Sequence, residues 1–368
     1  MKILITSKHL TSLGGIQNYV NLLIENLEND GYTISHFCHG LEPKYDVYFI
    51  LPFIYPIQIL KFQTRLKTFN PDIVHFNPSL SPAGIIRDLI YLNIAKTGEY
   101  PVLFFIRGWN WSYYKRIKKS DILREKFVKN LTKADRILVL SEDFKEALVE
   151  IGIDQDMIGL TSTMVESESY LPKKKSFDGP YNILFCARMA TDKGPYELMK
   201  SIPRVVEKEK RVDFIFMGDG PELENLKNKA VEMDIEEYVT FTGYKTGEEK
   251  HEIYKKSHLF VFPTYHGEGF PNVVLEAMAA GLPVITTQNA GLKRLMEEGK
   301  NGYFLSSMPS EPKEIANKVL ELVQNPSMME EMSEYNLKKA KGKYDVEAVT
   351  KEIEKIYMDI IDNYVEKK

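Results

Sequence analysis

At 368 residues, with 43% hydrophobic and 27% charged residues, the chain is globular and too long for one ordinary core, since single cores stop growing at roughly 250 to 300 residues. Its formal net charge of -4 argues against a surface that tracks nucleic acid throughout, and no run of about 18 apolar residues is present to cross a bilayer. Cys38 and Cys186 stand in separate apolar segments, which predicts reduced core thiols in a cytosolic protein rather than a disulfide.

The first element is KILIT from Lys2, a short apolar run broken by Ser7, Lys8 and His9 that predicts a buried strand rather than a leader segment. Gly14 and Gly15 then precede a helical pattern in Ile16, Tyr19, Val20 and Leu23, and glycines there let a phosphate-bearing ligand approach backbone amides. The three spaced glycines of a dinucleotide fingerprint are missing, which disfavours a nicotinamide or flavin enzyme. His36, Cys38 and His39 invite a metal reading, but alternation on a short strand sends Cys38 and His39 to opposite faces, so no metal is expected there. PDIVHF from Pro71 carries His75, and PVLFFI from Pro101 and RILVL from Arg136 follow it. Apolar runs alternating with longer helical patterns predict a parallel sheet covered by helices on both faces.

Residues 107–136 are richer in basic than acidic residues and place Trp109, Trp111, Tyr113 and Tyr114 beside the charge. Two readings stand: a patch that meets an anionic membrane or a lipid-phosphate acceptor, and a solvated helix face beside core aromatics. Nucleic acid is not expected, because no recognised module accompanies the charge.

The pattern restarts with YNILFCAR at Tyr181, then VDFIFMGDG from Val212, YVTFTGY from Tyr238, HLFVFPT from His258 and LPVITT from Leu282. Residues 171–180, LPKKKSFDGP, read as a linker by composition. The expectation is therefore an α/β chain of two doubly wound domains, 1–170 and 171–343, facing across a hinge. The tail, 344–368, has Val349, Ile353, Ile356, Tyr357 and Ile360 at helical spacing and is expected to pack back on the first domain. Ligands bind beyond the carboxyl ends of strands in such sheets, so the loops after each run are where the chemistry belongs.

Arg188 and Lys193, at the mouth of the Tyr181 run and before a helix, suit a diphosphate, with a structural ion pair as the alternative. Gly218 and Gly220 allow a tight turn near the ligand, and Tyr244 supplies a strand end where a base can rest. In GEGFPNVVLEAMAAGLPVITT, 267–287, Pro271 suits the first position of a helix that Gly281 closes. Amides at that helix start would bind an anion. Glu268 would then accept from sugar hydroxyls and Glu276 from a ribose diol, because both oxygens of a carboxylate accept. The alternative is two solvated glutamates on an ordinary amphipathic helix.

In that order, ARMATDKG, GDGP, FTGY and GEGFPNVVLEAMAAGLPVI resemble the large retaining glycosyltransferase family usually called family 4. Its GT-B fold is two Rossmann-like domains facing across a cleft. The resemblance covers nearly the whole chain and is strongest from Tyr181 to Thr287. It implies that Glu268 touches the donor sugar, Glu276 the ribose, and Arg188 and Lys193 the diphosphate. Gly269, Phe270, Pro271, Asn272 and Val273 would line the donor, with the amides around Phe270 to Val273 assisting, Gly218 and Tyr244 would shape the nucleotide pocket, and Gly15 would cap the phosphate from the other domain. It implies no bound metal and no other cofactor, and no Asp-x-Asp pair is present.

Two places depart from the family. FFIRGWNW has Arg107 where the family often has His, and STMVESESY, 162–170, replaces the usual Pro-Asn-Gly-Val region. Arg cannot serve as a base at neutral pH, so Arg107 reads either as the partner of an anionic group on acceptor or donor or as the mark of a cleft that has lost ordinary turnover, and His75 and Arg107 are placed on the acceptor side. The expected activity is metal-independent, retaining transfer of a hexose from a UDP-sugar, ahead of a GDP-sugar, to a glycan or lipid-linked glycan in surface polysaccharide synthesis. Such an enzyme would work in the cytoplasm at the inner face of the cell membrane. The rivals are a nucleotide-sugar epimerase on the same architecture and a sugar-nucleotide-binding protein without turnover.

Overall fold

The apolar runs of each half become the central strands of a separate parallel sheet, which gives the chain two Rossmann-like α/β units. The structure is a computed structural model that describes residues 1–12, 14–39, 51–173, 175–267 and 269–366, with only the backbone described for 51–54.

The first unit takes Met1–Thr163 and Val346–Lys368. Its strands are β1 (Lys2–Ser7), β2 (Thr33–Cys38), β3 (Ile73–Phe76), β5 (Val102–Ile106), β7 (Arg136–Val139) and β8 (Ile158–Leu160), in the order β2-β1-β3-β5-β7-β8; β4 (Ser79–Leu80) and β6 (Gly108–Trp109) form a small separate pair. All these pairings are parallel. The central strands β3 and β5 are buried at every position because helices cover both faces. At the edge, β2 shows only every other residue buried, and β8 is three residues long. Neither makes a continuous apolar run.

The tail forms a helix, Val346–Glu366, whose buried positions Val346, Val349, Thr350, Ile353, Tyr357 and Ile360 trace one face. It packs on the helix Gly15–Asn29 and on β5, and Tyr357 reaches His75 at 2.6 Å.

The second unit, Met164–Asp345, holds β9 (Tyr181–Cys186), β10 (Val212–Met217), β11 (Val239–Gly243), β12 (Leu259–Phe262), β13 (Val284–Thr287) and β14 (Gly302–Leu305). The chain enters and leaves it at adjacent points: the Val165 amide donates to the Tyr344 carbonyl at 2.9 Å, and the Ser167 amide and hydroxyl both donate to the Asp345 carboxylate.

The segment 171–180 is packed on this unit, although its composition reads as a linker. Phe177 is buried, and the Lys175 ammonium donates to the carbonyls of Ser257 and Ala280 at 2.8 and 2.7 Å. Those two residues cap the C-termini of helices Gly247–Lys256 and Asn272–Ala279, where a cation meets orphan carbonyls and the negative end of each dipole. Burial pushes the Lys175 ammonium down to about 7.

Candidate functional site

The second sheet runs β11-β10-β9-β12-β13-β14, so strand order reverses between β9 and β12. Open α/β sheets bind ligands at that reversal, beyond the carboxyl ends of the strands. The two loops emerging there are 187–194 and 263–271. One residue ties them together. The Asp192 carbonyl accepts from the amides of Tyr265 and His266, both at 3.0 Å, and from the Thr264 hydroxyl at 3.2 Å. Its carboxylate meets His266 Nδ1 at 2.8 Å. The short helical turn Thr191–Lys193 is thereby fixed against the second loop, with Lys193 on it and Arg188 exposed at the mouth of β9.

Gly194 ends that turn at φ +82°, where a Cβ would stand 2.3 Å from the Pro263 carbonyl oxygen. Only glycine lets β12 run this close to the start of helix Pro195–Val206. Gly218 has a related cause, since its Cβ would fall 1.9 Å from the Ala187 carbonyl oxygen. In the sequence that glycine reads as part of a tight turn near the ligand; in the structure its lack of a side chain also lets that turn pass close to a neighbouring loop. Tyr244 is 58% exposed just beyond β11, an edge strand.

The helix after the second loop is Asn272–Ala279, beginning one residue later than the sequence predicts. Proline fixes φ but not ψ, and Pro271 at φ -74°, ψ 117° is extended, so it caps the helix from outside. The Val274 amide is bonded to the Pro271 carbonyl at 3.1 Å, and the amides of Asn272 and Val273 belong to the opening turn that helices leave without intrahelical partners. Phe270 is buried with its ring 5.6 Å from Tyr344, and the Gly269 carbonyl packs against Gly291. Glu268 lies outside the described residues.

Glu276 is 6% exposed and is not a solvated surface glutamate. Its carboxylate accepts from Lys250 Nζ at 2.6 Å and from the Tyr254 hydroxyl at 2.9 Å. Both donors stand one turn apart on helix Gly247–Lys256, a spacing visible in KHEIYK, yet neither stood out in the sequence. The Tyr170 ring packs edge-on against Tyr254 at 5.4 Å. Burial works to lower the Lys250 ammonium, but the Glu276 carboxylate together with Cys186 and Tyr244 holds it above its ordinary value. Burial pushes the nearby Cys186 thiol up to about 11. A carboxylate offers about four acceptor positions, so Glu276 can hold two hydroxyls besides its present partners.

In the first unit Gly15 is the exposed first residue of helix Gly15–Asn29, behind Gly14. His75 is fully buried on β3, and burial with the nearby Arg107 charge holds it down at about 3, so its ring is neutral. Arg107 follows β5 and is 7% exposed. Its guanidinium lies 3.5 Å from the Tyr19 ring centre and 4.6 Å from that of Phe105, and one nitrogen donates to the Thr163 hydroxyl at 3.0 Å.

Of the two readings of 107–136, the aromatics favour interior packing: Tyr113 and Tyr114 are buried, and Trp109 stacks on Phe144 at 4.4 Å. The basic side chains Lys115, Arg116, Lys118 and Lys119 face outward from the helix Trp111–Lys119. His36 meets the Ser7 hydroxyl at 2.8 Å, and His39 sits 3.8 Å from the Asp88 carboxylate. Among the described residues no cluster of three or more His, Cys, Asp or Glu is placed to hold a metal.

Comparison with known proteins adds to this geometry. Residues 13–168 match the family described as Glycosyltransferase Family 4, and residues 166–339 match Glycosyl transferases group 1. The capsular polysaccharide biosynthesis glycosyltransferase CapM of Staphylococcus aureus is 27% identical over 65% of this chain and 60% of its own length. The alpha-monoglucosyldiacylglycerol synthase of Streptococcus pneumoniae is 25% identical over 82% of this chain and 69% of its own length. The chain spans about half to three fifths of the length of the first curated relatives it matches. Among solved structures, Anabaena HepE in complex with UDP and glucose superimposes with a TM-score of 0.75 at 17% identity, covering 98% of this chain and 100% of that one. The fold is thus shared.

Proposed function

Because this chain belongs to the family 4 glycosyltransferases of the GT-B type, we propose that it moves a hexose from a nucleoside diphosphate sugar to a glycan or lipid-linked glycan acceptor during surface polysaccharide or glycolipid synthesis. The observation that supports this most directly is the Asp192 bracket, which joins the Lys193 turn to the loop leading into the Asn272–Ala279 helix. A cation, a helix N-terminus and a buried carboxylate on one sheet reversal match the parts of a nucleotide-sugar: diphosphate, phosphoryl oxygen and ribose. UDP is favoured as the leaving nucleotide by the likeness to HepE, whose structure holds UDP and glucose.

In this reading Arg188, Lys193 and the amides of Asn272 and Val273 stabilise charge as it gathers on the departing diphosphate, with no metal required. Glu276 accepts the ribose hydroxyls while staying bonded to Lys250 and Tyr254. Glu268 orients the hexose, and transfer proceeds with retention through positioning rather than through a protein base. The protein works at the inner face of the membrane, where the outward basic side chains of 115–119 meet anionic lipid.

Calorimetric titration of UDP, GDP and ADP into the chain with a chelator present tests the reading. UDP should bind and the others weakly; loss of all binding on chelation would end the metal-free part. Glu268→Ala should keep UDP affinity and lose transfer. Equal loss of both would move Glu268 out of its role. Interconversion of free donor sugars without an acceptor would instead identify an epimerase.

A further inference from the structure

Arg107 is a buried cation whose charge the described residues do not balance. It follows β5, and its backbone amide is tied to the Pro78 carbonyl at 2.9 Å. Tyr19 and Phe105 cover its faces and Thr163 takes one nitrogen, but among the described residues Nε and Nη1 find no hydrogen-bond partner. Those two nitrogens carry three of the five guanidinium hydrogens. Among the described residues no carboxylate pairs with it. Stacking on aromatic rings returns less than the burial of an isolated cation costs, so a structural role alone leaves the side chain in deficit. Neutralisation offers no escape: burial lowers the group only to about 10, and it stays charged at neutral pH.

The surroundings point the same way. Tyr19 stands in the second turn of helix Gly15–Asn29, so the guanidinium lies over a ring carried near the N-terminal end of that helix. His75 stacks on the same Phe105 ring at 6.3 Å and 16°, and its buried Nε2 is also without a partner. When Tyr357 donates to Nδ1, Nε2 carries the proton and becomes another donor. The sheet order β2-β1-β3-β5-β7-β8 places Arg107, after β5, and Thr163, after β8, beyond the carboxyl ends of the strands, where such sheets bind ligands.

We propose that Arg107, with Thr163 beside it, anchors a subsite for an oxyanion, a carboxylate or phosphate group carried by the sugar substrate. The sugar part rests on the transferase reading; the oxyanion part does not. A planar fork with unfilled N–H groups fits the two oxygens of a carboxylate or phosphate, whereas neutral hydroxyls leave the charge uncompensated. The acceptor is then a hexuronate or a sugar phosphate rather than a neutral sugar, while the transferred group remains the hexose of the nucleotide donor.

The test is calorimetric titration of the full chain with glucuronate, glucose 1-phosphate, glucose and inorganic phosphate. One of the two anionic sugars should bind and glucose should not, and which one binds identifies the anion. Arg107→Gln should weaken that sugar about 10- to 100-fold, the worth of charge-assisted hydrogen bonds, and leave UDP affinity unchanged. Failure of both anionic sugars while UDP still binds overturns the subsite and spares the transferase reading. Inorganic phosphate binding as tightly as glucose 1-phosphate overturns the sugar part. Thermal melting of ligand-free Arg107→Met separates a strut from a site: an unchanged or raised Tm is expected, and a fall in Tm with unchanged sugar affinity overturns the proposal.

Discussion

The two units treat their buried charges differently. In the second, Glu276 is enclosed with Lys250 at 2.6 Å and Tyr254 at 2.9 Å, so the cluster is balanced before any ligand arrives. In the first, Arg107 is as deeply enclosed yet has, among the described residues, two partnerless nitrogens, beside a neutral His75 with its own. A balanced cluster supports the fold and can still spare acceptor positions. An unbalanced one costs stability and is relieved by binding. The same polar chemistry is therefore balanced within the fold in one sheet and, among the described residues, left unbalanced in the other.

Breaking the balanced cluster is expected to have the largest effect. Glu276→Ala leaves Lys250, whose side chain is 22% exposed, without its counter-charge; removing one partner of a fully buried pair costs about 3 to 5 kcal/mol, so a loss toward or below the lower end of that range is expected here. Denaturant unfolding monitored in the second unit should show it, and UDP affinity should fall as well. Lys250→Met alone should cost less, because Glu276 keeps Tyr254. If the double variant is no less stable than Glu276→Ala, the loss belongs to the pair; simple addition of the two losses would mean Lys250 is not what Glu276 needs.

Gly194→Ala comes next and strikes the same unit by a different route. A left-handed φ costs a non-glycine residue about 1 to 2 kcal/mol, and the added Cβ also meets the Pro263 carbonyl oxygen at 2.3 Å. The Lys193 turn should be pushed from the loop it is tied to, so UDP affinity should drop along with Tm. A lowered Tm with unaltered UDP affinity would detach that turn from nucleotide binding.

Acidification reverses the comparison and should act first on the first unit. Burial holds His36 at about 4 and His75 at about 3, and His39 well below the ordinary value, whereas the second unit has one such group, His258 at about 4. These rings are neutral when folded, and the unfolded chain takes up a proton near pH 6.5. Their contribution is therefore complete above that pH and is lost as pH falls toward the folded values. Each fully buried ring loses about 1.4 kcal/mol per pH unit, or about 2 kcal/mol by pH 5 for His75. Melting followed by fluorescence of Trp109 and Trp111, both in the first unit, should drop faster between pH 6.5 and 5 than a probe in the second. Parallel loss would mean the histidines do not set it.

What the sequence reveals of this follows physical lines. Central strands such as VLFFI are apolar throughout because helices cover both faces, and they are plain in the sequence; β2, β8 and β14 lie at sheet edges and are alternating or short, and they are not. Glu276 is legible from its motif, but Lys250 and Tyr254 become its partners only through packing of a helix some twenty residues away in the chain. Lys175 shows the opposite failure. Its surroundings read as a linker because composition reports polarity, while the ammonium is consumed by two helix ends.

The smallest effect is expected at the bracket itself, and it separates backbone from side chain. His266 and Asp192 form a side-chain hydrogen bond between groups 52% and 44% exposed, and exposed polar pairs of this kind contribute about 0 to 1 kcal/mol. The bonds from the Tyr265 and His266 amides to the Asp192 carbonyl need neither side chain. His266→Ala should therefore leave Tm nearly unchanged and UDP affinity within about twofold, since the loop stays tied through its backbone. A much larger loss of affinity with an intact Tm would show that the imidazole touches the nucleotide-sugar directly, and the second unit's site would then extend to His266 rather than end at Lys193.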